Sequence, residues 1–242
     1  MPRGGVTIRC PVCGSVTDGL PSTCGACGAF VQDRVPALNL FETLLGLIER
    51  PGATFLRIAR SEQKNYVYTL FAGIGPLLLA AAFALARAGD KHLHFGIILV
   101  LLIGGGPLLG LLFFSPAAWL IGAANRIVWK VRLPFRATAA AVAYGMFPLL
   151  FGAFVVLPVQ VALFGPYLFS LNPAPWLLKP TPFWTLAGVD ALFLVWSLLL
   201  LPRGFAPYGL NAREAALSML PGLAFLLCAL LAAGRLFAII LP

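Results

Sequence analysis

Residues 95–124 read FGIILVLLIGGGPLLGLLFFSPAAWLIGAA, thirty positions without one charged side chain. A soluble helix keeps a polar face, and this run has almost none. The apolar core of a bilayer is about 30 Å thick and takes about 20 helical residues at roughly 1.5 Å each. The run is longer than that, so it reads as a transmembrane helix that tilts, kinks or projects beyond the bilayer. Pro107 lacks an amide proton and follows Gly104, Gly105 and Gly106, which predicts a kink there. Gly106 and Gly110 form a GxxxG pair that lets a second helix approach closely.

The rest of the chain fits this reading. Four more apolar runs, over 66–87, 137–164, 184–201 and 214–241, bring the expected spans to five. Of 242 residues, 60% are hydrophobic and only 10% charged, with a mean hydropathy of +0.94. A soluble domain carries about 25% charged residues to cover its surface. Pro76, Pro148 and Pro158 are expected to bend the first and third spans.

Ahead of the spans stands a polar head. Residues 10–28 read CPVCGSVTDGLPSTCGACG, two Cys-x-x-Cys-Gly knuckles. Each knuckle presents two sulfurs to one ion, and Cys10, Cys13, Cys24 and Cys27 together complete a tetrahedron for structural zinc. Iron, or a disulfide framework, is the alternative. Gly14 and Gly28 allow the backbone to turn tightly behind each sulfur pair, and Pro11 and Pro21 stiffen the loops. Four cysteine ligands leave no open position, which excludes a catalytic metal. The head is either a docking module or a mini-domain that needs zinc in place of a core, and the two do not exclude each other. Cys228 lies in an apolar run and reads as a small hydrophobe. No apolar leader precedes the head, so it is expected to stay on the side of synthesis.

Between head and spans lie two short amphipathic segments. NLFETLLGLIER places Phe41, Leu44, Leu45 and Ile48 on one helical face, with Asn39 as its cap. Pro51 stops that helix and opens PGATFLRIAR, where Phe55, Leu56, Ile58 and Ala59 are apolar and Arg57 and Arg60 basic. Such helices suit a membrane surface with anionic headgroups, or the ends of the spans.

Charge sets an expected orientation. The formal charge is +9, and four thiolates around one dication lower it to about +7. With five spans, thirteen of the 17 lysines and arginines fall on the side of the head, Arg3 and Arg34 among them, and four on the other. Positive charge collects in the cytoplasm, so the head is expected inside and the C-terminus outside a cell (inner) membrane. The basic balance is topology and does not call for nucleic acid.

Several stretches resemble the YIP family (Ypt/Rab-interacting membrane proteins). They are the Pro51–Phe55 step after an amphipathic helix, AYGMFPLLFGAF with Tyr144 four residues before Pro148, and WSLLLLPRGFAPYGLNAREAALSMLPGL. The resemblance spans about residues 38–242. It implies a five-span fold with a cytoplasmic N-terminus. Eukaryotic members bind Rab GTPases in early secretory traffic and carry an Asp-Leu-Tyr-Gly-Pro motif, which this sequence lacks. A zinc ribbon in front resembles the prokaryotic type.

Charged groups inside a bilayer are costly and mark function. Asp190 and Arg235 lie within the fourth and fifth spans. Taken as neighbouring antiparallel helices, these spans predict an Asp190–Arg235 pair about 9 Å below the outer boundary, with Gln160 at similar depth. In DKHLHFG, Asp90 and the two histidines read as interface residues rather than a metal site. Trp176, Trp184, Tyr66, Trp129 and Tyr208 fit aromatic belts. No G-x-S-x-G, H-E-x-x-H or G-x-x-x-x-G-K signature occurs, so no enzyme is expected.

The sequence thus predicts an all-α polytopic membrane protein, a five-helix transmembrane bundle preceded by amphipathic interface helices and a small zinc-ribbon head. Its divisions are 1–35, the zinc-ribbon head; 36–65, the membrane-surface helices; and 66–242, the five-span domain. The expected function is a membrane adaptor or scaffold with a cytoplasmic docking head, embedded in lipid and holding a protein partner on that side. A homo-oligomer is compatible with this. The alternative is a solute or lipid transporter or channel using the Asp190, Arg235 and Gln160 cluster.

Overall fold

A computed structural model describes residues 7–18, 23–31, 35, 37–91 and 94–241. Pro21, His92, Arg3 and Arg34 lie outside the described residues. The order is a two-stranded hairpin followed by helices. Strands β1 (Thr7–Arg9) and β2 (Val16–Asp18) pair antiparallel, with Ile8 opposite Thr17. Helices α1 (Leu40–Glu49) and α2 (Pro51–Arg60) follow, then α3 (Val67–Ala86) and α4 (Phe95–Val128). Next come α5 (Phe135–Gly145), α6 (Leu149–Phe151), a π-helical segment Gly152–Val156, α7 (Leu157–Phe164) and α8 (Pro175–Leu178). Helix α9 (Pro180–Leu200), a 3-10 segment Leu201–Tyr208 and α10 (Ala212–Ile240) close the chain.

Five helical stretches are long and apolar enough to cross a membrane: Val67–Ala86, Phe95–Val128, Leu149–Phe169, Pro180–Tyr208 and Ala212–Ile240. The chain is an integral, multi-pass membrane protein of all-α class. The count matches expectation, but the third span differs. Residues 137–145 do not begin it. They form α5, whose residues from Ala137 to Gly145 are all buried in protein. Its alanines, small and without branching, let α5 sit in the core. The chain breaks at Met146–Pro148 and restarts as α6, because Pro148 cannot donate to the ladder. Ten residues on, Pro158 would clash with the carbonyl four residues earlier, at Phe154. The helix takes up that clash as the π segment Gly152–Val156.

Glycine joins α3 to α4. A Cβ on Gly75 would lie 1.9 Å from the Gly106 carbonyl oxygen, and one on Gly110 would lie 2.1 Å from that of Phe71. The expected GxxxG pair is therefore the α3–α4 contact, with the backbones touching. Helix α4 runs on through Pro107 and Pro116 for 34 residues. Helix α10 packs on α3 and α4 through Gly222, against Ile121, and Gly234, against Leu85.

Both short helices behave as the sequence predicts at their ends. Asn39 accepts the Glu42 amide, and Pro51 opens α2. Their apolar faces part company. Phe55 and Ile58 of α2 are buried in the main core with Tyr144, Phe147 and Phe205. On α1, Leu47 and Thr43 face the core, while Phe41, Leu45 and Ile48 stay exposed. Arg57 pairs with Glu42 of α1, and both side chains remain substantially exposed. Lys64 donates to the carbonyls of Ile58, Ala59 and Ser61 at 2.8, 3.2 and 3.2 Å, capping the end of α2.

At the opposite end of the bundle, Lys91 donates to the Ala238 and Leu241 carbonyls at 3.2 and 3.3 Å. The loop after α3 thus holds the end of α10. Asp90 beside it accepts the Ser170 hydroxyl and the amides of Leu171 and Asn172, at 3.1 and 3.3 Å.

Candidate metal centre and intramembrane polar pair

The head repeats one small device twice. After each first cysteine the chain turns, and the amides of Gly14 and Gly28 donate to the carbonyls of Cys10 and Cys24, at 3.0 and 2.9 Å. Gly14 and Gly28 sit at φ +74° and +72°, the left-handed region that glycine enters without strain. The amides of Cys10 and Cys24 then bond the carbonyls of Ser15 and Ala29, at 2.9 and 2.8 Å. β1 and β2 flank the first knuckle, and a Thr23–Phe30 bridge closes the second.

These two turns bring four sulfurs together. The Sγ atoms of Cys10, Cys13, Cys24 and Cys27 all lie within 4.8 Å of one another. The Cys10–Cys27 and Cys13–Cys24 separations are both 3.6 Å. A tetrahedral site with bonds of about 2.3 Å has sulfurs about 3.8 Å apart, so the cage fits one ion of that size. None of the five cysteines is in a disulfide. Ser15 Oγ lies 3.0 Å from both Cys13 and Cys24 sulfurs, where its hydroxyl steadies a ligand thiolate. Without an ion the four thiols cannot all ionise. Cys24 is drawn down to about 6, first by the Ser15 hydroxyl and then by the Ala26 and Cys27 amides. Cys27 is pushed up to about 12; the Ala29 amide works against this, but the Cys13 thiol, burial and the Cys10 thiol outweigh it. A bound dication supplies the charge that lets every sulfur deprotonate, and it cross-links two turns that otherwise share no core.

The intramembrane residues are arranged differently from expectation. Gln160 of α7 donates to Asp190 Oδ2 at 2.7 Å. The expected Asp190–Arg235 pair is absent. Asp190 Oδ1 is buried with no partner among the described residues, and Arg235 is exposed. The physical reason is the packing. α9 lies against α8, the π segment and α6, whereas α10 lies against α3 and α4. Consecutive helices are here not neighbours. Depth changes as well, because α9 begins at Pro180. Asp190 is therefore ten residues in, about 15 Å along the helix, near its middle.

The pair borders a cleft of about 440 Å³ between α3, α7 and α9. Its wall is apolar apart from Gln160, Asp190 and Ser170, with the rings of Trp176 and Phe183 toward the α8 end. A Cβ on Gly152 would sit 3.1 Å from Asp190 Oδ1, so the π segment presents its smallest residue to the carboxyl. No sequence signal marked this cleft, because it forms only where α3, α7 and α9 meet in three dimensions. Asp90 is engaged by the Ser170–Asn172 loop and is not placed in a metal group among the described residues.

Comparison with protein-family models, curated proteins and solved structures found no match.

Proposed function

We propose that the protein is a membrane adaptor whose zinc-held head docks a soluble partner at the cytoplasmic face, on a five-span anchor of the type the YIP resemblance implies. The observation that carries this reading is the closed cage of four sulfurs, within 4.8 Å of one another, at the front of a bundle that buries its own core. Four thiolates favour zinc, and a closed zinc site shapes a surface instead of turning over substrate. The lysine and arginine asymmetry supports a cytoplasmic head. The absence of catalytic signatures in the sequence supports a non-enzymatic role.

Cross-linking in intact membranes tests it. A defined soluble partner is expected with the wild-type chain and lost with Cys24→Ser/Cys27→Ser, whose spans still insert. Equal recovery from both chains overturns the docking role.

The Gln160–Asp190 cleft favours a second reading, transport of a solute or lipid, because an acidic group at mid-span faces an apolar groove. Flux in liposomes that disappears with Asp190→Asn would establish it over the first.

A further inference from the structure

Helix α4 ends in a turn that folds the chain back along it. The amides of Trp129 and Val131 both donate to the Asn125 carbonyl, at 3.2 and 3.1 Å. Lys130 between them takes a left-handed φ of 58°. This reversal brings Arg132 to Arg126, and α5 starts three residues later. The two arginines flank a cleft of about 330 Å³. Ala118, Gly122 and Ala123 leave the space by being small, and Trp119, Leu133 and Phe135 supply an apolar side.

We propose that this α4–α5 cleft binds the phosphate of an anionic phospholipid. Arg126 and Arg132 have no ion pair or hydrogen bond among the described residues, so two guanidinium groups face the cleft without a counter-charge. Helix α5 has no side-chain cap at its N-terminus, which leaves first-turn amides for an anion. Thr138 lines the cleft, is fully buried, and its hydroxyl finds no partner among the described residues. Arginine forks match phosphate oxygens in pairs, which makes phosphate the fitting anion. A lipid source follows from location. The cleft lies at the end of a membrane-spanning helix, with Trp119 and Phe135 exposed where an acyl chain would lie. Basic pockets between spans at that depth take lipid headgroups.

The test uses the full chain in neutral detergent. Phosphatidylglycerol, phosphatidylcholine and inorganic phosphate are added separately, and native mass spectrometry and thermal melting are read. Phosphatidylglycerol is expected to stay bound and raise the melting temperature, with phosphatidylcholine doing neither. Arg126→Gln/Arg132→Gln is expected to weaken phosphatidylglycerol binding about tenfold or more while melting as wild type without lipid. Arg126→Lys/Arg132→Lys keeps the charges but not the paired forks and should restore only part of it. If the double glutamine form melts low on its own, Arg132→Gln in the exposed turn is read by the same criterion. Equal stabilisation by phosphatidylcholine overturns the proposal, as does unchanged phosphatidylglycerol binding by the glutamine forms. Inorganic phosphate that stabilises as well as the lipid also overturns it, and assigns the cleft to a soluble phosphate.

Discussion

At the scale of single residues, the cysteines carry the plainest prediction. Cys24→Ser/Cys27→Ser should lower bound metal from about one ion per chain to none, measured by elemental analysis, because two sulfurs cannot close a tetrahedron. Head amide signals should collapse while the spans keep their helical signal. Acid should release the ion as well, since each ligand must stay deprotonated. These four residues were legible from spacing alone, because a knuckle is a local structure. Asp190 was legible as unusual but not in its partnership, which depends on which helices touch. With Gln160 as the bonded neighbour, Gln160→Leu should cost about 1 kcal/mol of stability in detergent. The effects of Asp190→Ala and Arg235→Ala should simply add. A coupling above about 0.5 kcal/mol between those two would contradict the observed packing. Asp90 gives a pH effect. The Ser170 hydroxyl first, then the Leu171 and Asn172 amides, hold its carboxyl below its usual 3.8. A depressed carboxyl contributes stability that is present above 3.8 and lost as pH falls through the lower folded value. Asp90→Asn should therefore flatten the acid side of the stability profile, read by melting between pH 5 and 3.

At the scale of elements, hydropathy found the five long helices but misplaced the start of the third. An alanine-rich helix buried in protein and one buried in lipid share the same hydropathy, so α5 could not be told from a span by composition. The π segment and the broken ladder at Pro148 were marked by their prolines, yet only as bends. The GxxxG pair was legible as a motif, and the structure supplies its partner, Gly75. Gly75→Val should destabilise the chain by about 3 kcal/mol or more, since the α4 backbone occupies the space. Gly104→Ala, with no atom within reach of a new Cβ, should leave the melting temperature nearly unchanged.

At the scale of the whole molecule, α1 and α2 join the head to the bundle in two ways. Phe55 and Ile58 root α2 in the core, and Phe41, Leu45 and Ile48 leave an exposed apolar stripe on α1. Helices α1 and α2 are thereby braced on the bundle. The sequence showed both helices as amphipathic but could not assign which apolar residues of α1 meet the core, because Leu47 lies beside the Phe41, Leu45 and Ile48 face rather than on it. The backbone contact of α3 with α4 has a mechanical consequence. Two helices in backbone contact at Gly75, Gly106 and Gly110 cannot slide past each other without a steric clash, and α10 packs on both. In the third span the ladder is interrupted instead, at Pro148 and through the π segment between α6 and α7. Hydrogen exchange should read this directly, with the amides of α3 and α4 near those glycines exchanging slowest of all and those around Gly152–Val156 fastest within the spans.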